Sequence, residues 1–348
     1  MKQHDSEGLS TMVKKATSRD VARLAGVSQT TVSYVMSGRR SVAPDTERKV
    51  MAAMAELGYQ PHSGARALKS NRTNVIGLVV PYRSGADAAA QHRFLVAFTS
   101  EVRRYAYDIL LVTTDEGVSG LRRVIDTALC DALLLMEVLD ADPRVELVAQ
   151  SQIPTVFVGL PGPSKGVYAV DADYVEAGRQ AVRVLVKARH EHLTLVMPDH
   201  PTLSRLNFLE RFRAGAVSEA NAQNVPLSVI GCSASYPSAF QTAHSLGELP
   251  DEGVILGPLV SADDWSNALN DCGHRLGREV SLVASSWDAE HAHSAFSPAH
   301  FDMRTPDLVR SAVELMMLQL ERPAEAEPQT LVLPPIFYEG DTLRKVLP

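Results

Sequence analysis

From Val75 onward the chain alternates short apolar runs with segments of helical period, and this alternation limits the fold more than any other feature. VIGLVV at Val75 is followed by a helical HRFLVAFTSEVRRYAY, then DILLVT, a helix through Arg122 to Leu129, DALLLM, a helix through Val145 to Val148, and TVFVGL. Strands that are apolar on both faces need both faces covered, so the pattern implies a parallel sheet between layers of helices. A second series follows, with helices around Val175 to Ala188, Arg205 to Glu219, Ala239 to Leu246 and Ala262 to Cys272, and strands LTLVM, LSVI, GVIL and VSLVA between them. Two similar α/β lobes are expected. A chain of 348 residues, 45% hydrophobic and 22% charged, has the length and composition for several globular cores.

Ahead of these lobes, Thr17 to Met36 reads TSRDVARLAGVSQTTVSYVM. Thr17 and Asp20 stand three apart as an N-cap and its reciprocal acid, and Val21, Leu24 and Ala25 recur at helical spacing. Gly26 suits a left-handed turn, Val27 can pack between helices, and Ser28 can cap a second helix whose Val32 and Val35 face inward. A generic helical hairpin could carry the same signals. A third stripe of Val50, Met54 and Leu57, opened by Pro44 and closed by Gly58, completes a three-helix miniature core of helix-turn-helix type. Charge separates the two parts: residues 1–72 carry a net +6 and the remainder −13. A basic head can neutralise phosphates and release counterions, while the acidic body stays off a duplex.

The first sixteen residues are polar, lack an apolar core and read as a flexible arm rather than a signal peptide. No run approaches a membrane span. Cys130, Cys232 and Cys272 form no CxxC pair, which fits packing residues in a reducing cytoplasm. The pairs His190/His192 and His291/His293 lack a Cys or acidic partner at ligand spacing, so no metal is expected. GCSAS at Gly231 to Ser235 lacks the closing glycine of a nucleophile elbow. With no P-loop, no GxGxxG and no paired catalytic carboxylates, neither a catalytic site nor a cofactor is expected.

Three linked motifs, DVARLAGVSQTTVS, ERKVMAAMAELGYQP and ARALKS, occur in the order and spacing of the LacI/GalR family of bacterial transcription regulators, whose headpiece residues 17–72 resemble. The resemblance implies that Ser28 to Met36 enter the major groove, with Gln29, Thr30 and Tyr34 at base edges. Gln can bind adenine in a bidentate way, Thr offers a hydroxyl or a methyl, and Tyr donates one hydrogen bond or packs on thymine methyls. Many relatives carry Arg where Tyr34 stands, so a guanine contact is absent here. Thr17, Ser28, Thr31 and Ser33 suit caps and phosphate contacts, which position without specifying. Pro61 to Asn71 matches the family's hinge helix, which orders in the minor groove, where Leu68 would wedge between base pairs beside Ala65 and Lys69. A linker helix with an incidental Leu is the plain alternative.

The body resembles the family's periplasmic-binding-protein-like core, whose chain crosses between lobes three times, near Asp171, His300 and Gln329. The implied domains are an arm at 1–16, a head at 17–62, a hinge at 63–73 and a core at 74–348. Lobe 1 then comprises about 74–172 and 301–328, and lobe 2 about 173–300 and 329–348. The cleft departs from the family. Phe208 stands where an Arg binds sugar hydroxyls or acid groups, and Pro258 and Leu259 replace an Asn-Asp pair. Trp287 and Asp288 fall near a third acidic position, and Asp173 keeps a family match. Asn207 and Arg205, or Asp263 and Asp264, could compensate. Without planar, directional partners a sugar is disfavoured. A hydrophobic or aromatic effector lined by Tyr82, Phe208 and Trp287 then competes with no small effector at all, and Trp287 can equally be a core residue.

The apolar face of Pro306 to Leu320 and the twofold symmetry of operators point to a homodimer on double-stranded DNA. The absence of a leucine-heptad tail disfavours a tetramer. The expectation is a cytoplasmic repressor with an effector of unknown identity. A small-molecule binding or transport protein is the alternative from another class.

Overall fold

The computed structural model describes residues 16–37, 42–59, 72–80, 87–113, 117–162, 166–200, 203–245 and 252–345. The chain divides into two compact units between Thr73 and Asn74.

The first unit is three helices, α1 (Ser18–Ala25), α2 (Gln29–Ser37) and α3 (Pro44–Glu56). The Thr17 Oγ1 and backbone N–H donate to Asp20 at 2.7 and 3.0 Å, and the Asp20 N–H returns a bond to Thr17 Oγ1. This reciprocal cap satisfies donors that the first helical turn leaves unpaired. Gly26 ends α1 at φ 66°, in the left-handed region where a side chain is strained. Val21, Ala22, Val32, Val50 and Ala53 form the buried core, with Val27, Val35, Met54 and Leu57 packed against it. Leu24 is 45% exposed, because Val21, Ala22 and Ala25 turn the other face of α1 inward.

The second unit holds two six-stranded sheets. In the first, β1 (Val75–Val80), β2 (Asp108–Thr113), β3 (Ala132–Leu135), β4 (Thr155–Val158) and β5 (Tyr168–Ala172) are joined by helices α4 (Asp87–Arg103), α5 (Gly117–Asp126) and α6 (Arg144–Ser151). In the second, β6 (His192–Pro198), β7 (Leu227–Cys232), β8 (Glu252–Leu256), β9 (Ser281–Ala284) and β10 (Ala299–Asp302) alternate with α7 (Tyr174–Lys187), α8 (Asn207–Ala222), α9 (Tyr236–Ser245) and α10 (Ala262–Asp271). Then α11 (Thr305–Glu321) returns to the first lobe, where it packs with α4, and β11 (Thr330–Leu333) and β12 (Ile336–Tyr338) follow. Each sheet is covered on both faces, as apolar, buried strands such as β1 and β3 require.

All pairings are parallel except β12, which runs antiparallel to β10. The chain passes between lobes at Asp173, at Met303 and Arg304, and between β11 and β12. The third passage was expected near Gln329, but β11 pairs with β5 in register from Thr330↔Ala169 to Leu333↔Ala172, so Thr330–Leu333 belong to the first sheet. The second passage likewise follows β10, whose Phe301 and Asp302 still pair in the second sheet, rather than preceding residue 301. These short strands carry too few residues for a periodic signal.

Candidate DNA interface and ligand cleft

On α2, Gln29, Thr30, Ser33 and Tyr34 fall on one face by i,i+4 spacing, opposite the fully buried Val32. Gln29 and Thr30 are exposed, and Thr31, Ser33 and Tyr34 are half-buried. The Gln29 Nε2 donates to Ser18 Oγ on α1 at 2.8 Å, which holds that amide against the neighbouring helix. Ser28 Oγ accepts from the Thr31 N–H at 3.0 Å and lies 2.8 Å from its hydroxyl, so both side chains serve the start of α2. Thr17 is committed to the cap of α1 in the same way. Gln29, Thr30 and Tyr34 thus stand on the presented face, while Thr17, Ser28 and Thr31 hold it in shape. Ala65, Leu68 and Lys69 lie outside the described residues, as does Tyr82.

Between the lobes lies a cleft of about 240 Å³ at the carboxyl ends of the strands. Met136 and Val138 after β3, Val158 in β4 and Phe94 from α4 form one wall; Phe208, Pro258 and Leu259 form the other. Tyr174 lies against Phe208 with ring centroids 5.2 Å apart. Two glycines let α7 and α8 cross closely enough to bring those rings together. A Cβ on Gly178 would sit 2.2 Å from the Phe212 carbonyl oxygen, and one on Gly215 would sit 2.1 Å from that of Val175.

Asp171 is the buried carboxylate of this cleft, 3% exposed. Its Oδ1 accepts from the Ala172 N–H at 2.9 Å, and Arg211 Nη1 from the opposite lobe lies 3.2 Å from Oδ2. Burial pushes its carboxyl up to about 7, opposed by the Arg211 charge and by backbone N–H groups. Burial, reinforced by the Asp171 charge, raises the Tyr174 phenol in turn. The lobes meet at further points: Arg93 pairs with Asp288, Asn207 Nδ2 donates to the Leu160 carbonyl, the Asn207 N–H donates to Val138 O at 3.3 Å, and Leu139 bridges Leu206.

The expected site residues separate on this geometry. Phe208 and Leu259 line the cleft. Asp173 instead accepts from the Glu176 N–H as the N-cap of α7, Asp288 caps a single 3₁₀ turn while pairing with Arg93, and Asn207 is buried at the lobe junction. Trp287 donates its Nε1 to Asp263 at 2.9 Å and packs edge-on against His300, outside the cleft lining. Two contributors escaped the sequence reading. Asp171 was read only as a crossing point, although its place at the end of an apolar strand is the usual address of a ligand group. Arg144 was not singled out; buried on α6, it donates to the carbonyls of Met136 and Glu137 at 2.9 and 3.0 Å and to Asp142 Oδ2 at 2.6 Å, fixing the wall after β3. His190 is buried, with its ring nitrogens bonded to Ser281 Oγ and Arg344 Nη2 at 2.6 and 3.0 Å.

A helix-turn-helix head followed by a two-lobed cleft protein is the architecture of a DNA-binding transcriptional regulator with a periplasmic-binding-protein-like body. Residues 17–62 match the model of bacterial regulatory proteins of the lacI family, and residues 182–343 match the periplasmic binding protein-like domain. The chain belongs to the lacI family of transcriptional regulators, which are not enzymes. The HTH-type transcriptional regulator RafR of Escherichia coli is 27% identical over 93% of this chain and 97% of its own length. AglR of Rhizobium meliloti (strain 1021), also an HTH-type transcriptional regulator, is 28% identical over 76% of each. A lac repressor dimer, solved bound to operator and the anti-inducer ONPF, shares the fold with a TM-score of 0.80 at 21% identity, covering 95% of this chain and all of that one. Among the described residues no helix is long and apolar enough to cross a membrane.

Proposed function

We propose that this regulator is a cytoplasmic repressor that binds a palindromic operator as a homodimer, with affinity set by a small molecule in the inter-lobe cleft. The observation that carries the DNA half is the outward α2 face: exposed Gln29 and Thr30 and half-buried Tyr34 stand away from the Val32 core on a helix whose start Ser28 caps. Two such heads on a twofold axis read two half-sites, and paired hinge segments meet at the centre with Leu68 as the wedge. The control half rests on the placement of the cleft between lobes that share three chain passages, so that a change in lobe closure alters the spacing of the hinges.

A second reading keeps the DNA binding but replaces the sugar effector by a protein partner or by constitutive control. The absence of the family's Arg at Phe208 and of its Asn-Asp pair at Pro258 and Leu259 favours it. Selection of DNA sequences by the purified protein, followed by affinity and bending measurements on the winning site, tests the proposal. A palindromic site bound as a dimer is expected, with Leu68→Ala weakening affinity and straightening the DNA. An asymmetric site bound by a monomer, or an unchanged affinity and bend, would refute it.

A further inference from the structure

We infer that the cleft takes a single-ring, largely apolar molecule carrying one hydrogen-bond donor, an ammonium or hydroxyl, which Asp171 accepts. This rests on the proposed cleft control and names the ligand class for it. Size comes first. A dry apolar cavity of about 150 Å³ accommodates a benzene ring, so the roughly 240 Å³ here admits one ring with a short substituent. Two linked sugar rings would need the lobes to part.

Wall chemistry decides the next point. Phe94, Val158, Phe208, Leu259 and Tyr174 present carbon from both lobes, and the tilted Tyr174 and Phe208 rings offer faces for an aromatic or alicyclic ring. Gln91, Glu137, Ser285, Ser286 and Thr305 add polar groups to the lining, but a sugar would still set much of its polar surface against these carbon walls.

The donor is set by charge. Arg93, the basic residue of the lining, is occupied by Asp288. The lining acids are Glu137 and Asp171, and only Asp171 is deeply buried with Arg211 at the long distance of 3.2 Å. A carboxylate accepts several hydrogen bonds, so a ligand N–H or O–H can join Ala172 and Arg211 on it. An anionic ring would meet this carboxylate with Arg93, whose charge Asp288 already pairs, as the cationic group of the lining. An ammonium gains further from the ring faces of Tyr174 and Phe208.

Calorimetry on the full chain with benzylamine, benzyl alcohol, benzoate and glucose tests the inference. Benzylamine and benzyl alcohol should bind, and benzoate and glucose should not. Asp171→Asn should weaken benzylamine at least about tenfold, and Phe208→Arg should abolish it while admitting benzoate. Near pH 7, benzylamine binding in buffers of different ionisation heat should release protons, because Asp171 is pushed up to about 7 before the ammonium arrives. That measurement needs no variant, so a misfolded Asp171→Asn does not remove the test.

Binding of glucose or benzoate in preference, no binding of either donor-bearing ring, or no proton release overturns the ligand class. Affinity for selected DNA is measured on the same preparation with and without ligand. Failure of the rings while another small molecule shifts DNA affinity removes the class and leaves cleft control standing; a cleft ligand that never alters DNA affinity removes the control reading itself.

Discussion

Replacing Arg144 by Met should strongly destabilise the body and leave the head untouched. Its guanidinium is 11% exposed and its partner Asp142 fully buried, with Nη2 2.6 Å from Oδ2. Four further bonds within 3.2 Å join the same guanidinium to both Asp142 oxygens and to the Met136 and Glu137 carbonyls. Removing one partner of a buried pair strands the other charge, at about 3–5 kcal/mol. That is a large part of the roughly 5–15 kcal/mol that holds a folded domain. Urea unfolding followed by tryptophan fluorescence isolates the effect, since both tryptophans, Trp265 and Trp287, lie in the body and none in the head. The double variant Arg144→Met with Asp142→Leu should recover most of the loss, because an apolar pair restores packing without a buried charge. Acid adds a second check. Burial raises the Asp142 carboxyl, but the Arg144 bonds and charge outweigh it and hold the group below its ordinary 3.8. A depressed folded-state value gives stability that is present above 3.8 and is lost as pH falls through the lower folded value. Arg144→Met should lose this part of the acid sensitivity. A destabilisation below about 1 kcal/mol, the worth of an exposed ion pair, would refute the reasoning.

Asp171 gives the opposite sign: its folded-state carboxyl is raised to about 7, so its contribution falls as pH rises from about 4 through 7. Asp171→Asn should therefore match the parent near pH 4 and exceed it above pH 7 in thermal unfolding; equal melting at both ends would remove the burial argument. Thr17→Ala should destabilise the head by about 1 kcal/mol through loss of its cap, read by circular dichroism and weaker DNA binding with unchanged tryptophan fluorescence. Gly215→Ala should force α7 and α8 apart, because its Cβ would meet the Val175 oxygen at 2.1 Å; a cost of about 1–3 kcal/mol and a separated Tyr174–Phe208 pair are expected in a crystal structure, and an undisturbed pair would count against it.

The head was legible because its signals are local. The Thr17–Asp20 cap, Gly26, Ser28 and Pro44 each act within a few residues of themselves, and each occupies the position its chemistry predicts. The strands of both lobes were legible for a related reason, since a run such as Val75–Val80 must be covered on both faces wherever it sits. The cleft depends on distant pairs instead. Asp171 meets Arg211 across 40 positions and Trp287 meets Asp263 across 24, and neither pairing leaves a period to read. Edge strands fail similarly: Thr330–Leu333 is assigned to its sheet by pairing with Tyr168–Ala172 rather than by its own pattern.

The same contrast bears on control. A ligand shifts the two lobes only as far as it prefers one arrangement over another. Here the protein's own side chains already bridge them, through Arg211 to Asp171 and Arg93 to Asp288. A donor that engages Asp171 shares the carboxylate with Arg211, so its binding energy acts on a contact between lobes even though the molecule is too small to span many groups of both. On the proposed cleft control, closure rests on internal ion pairs, one of which a single well-placed hydrogen-bond donor can reach.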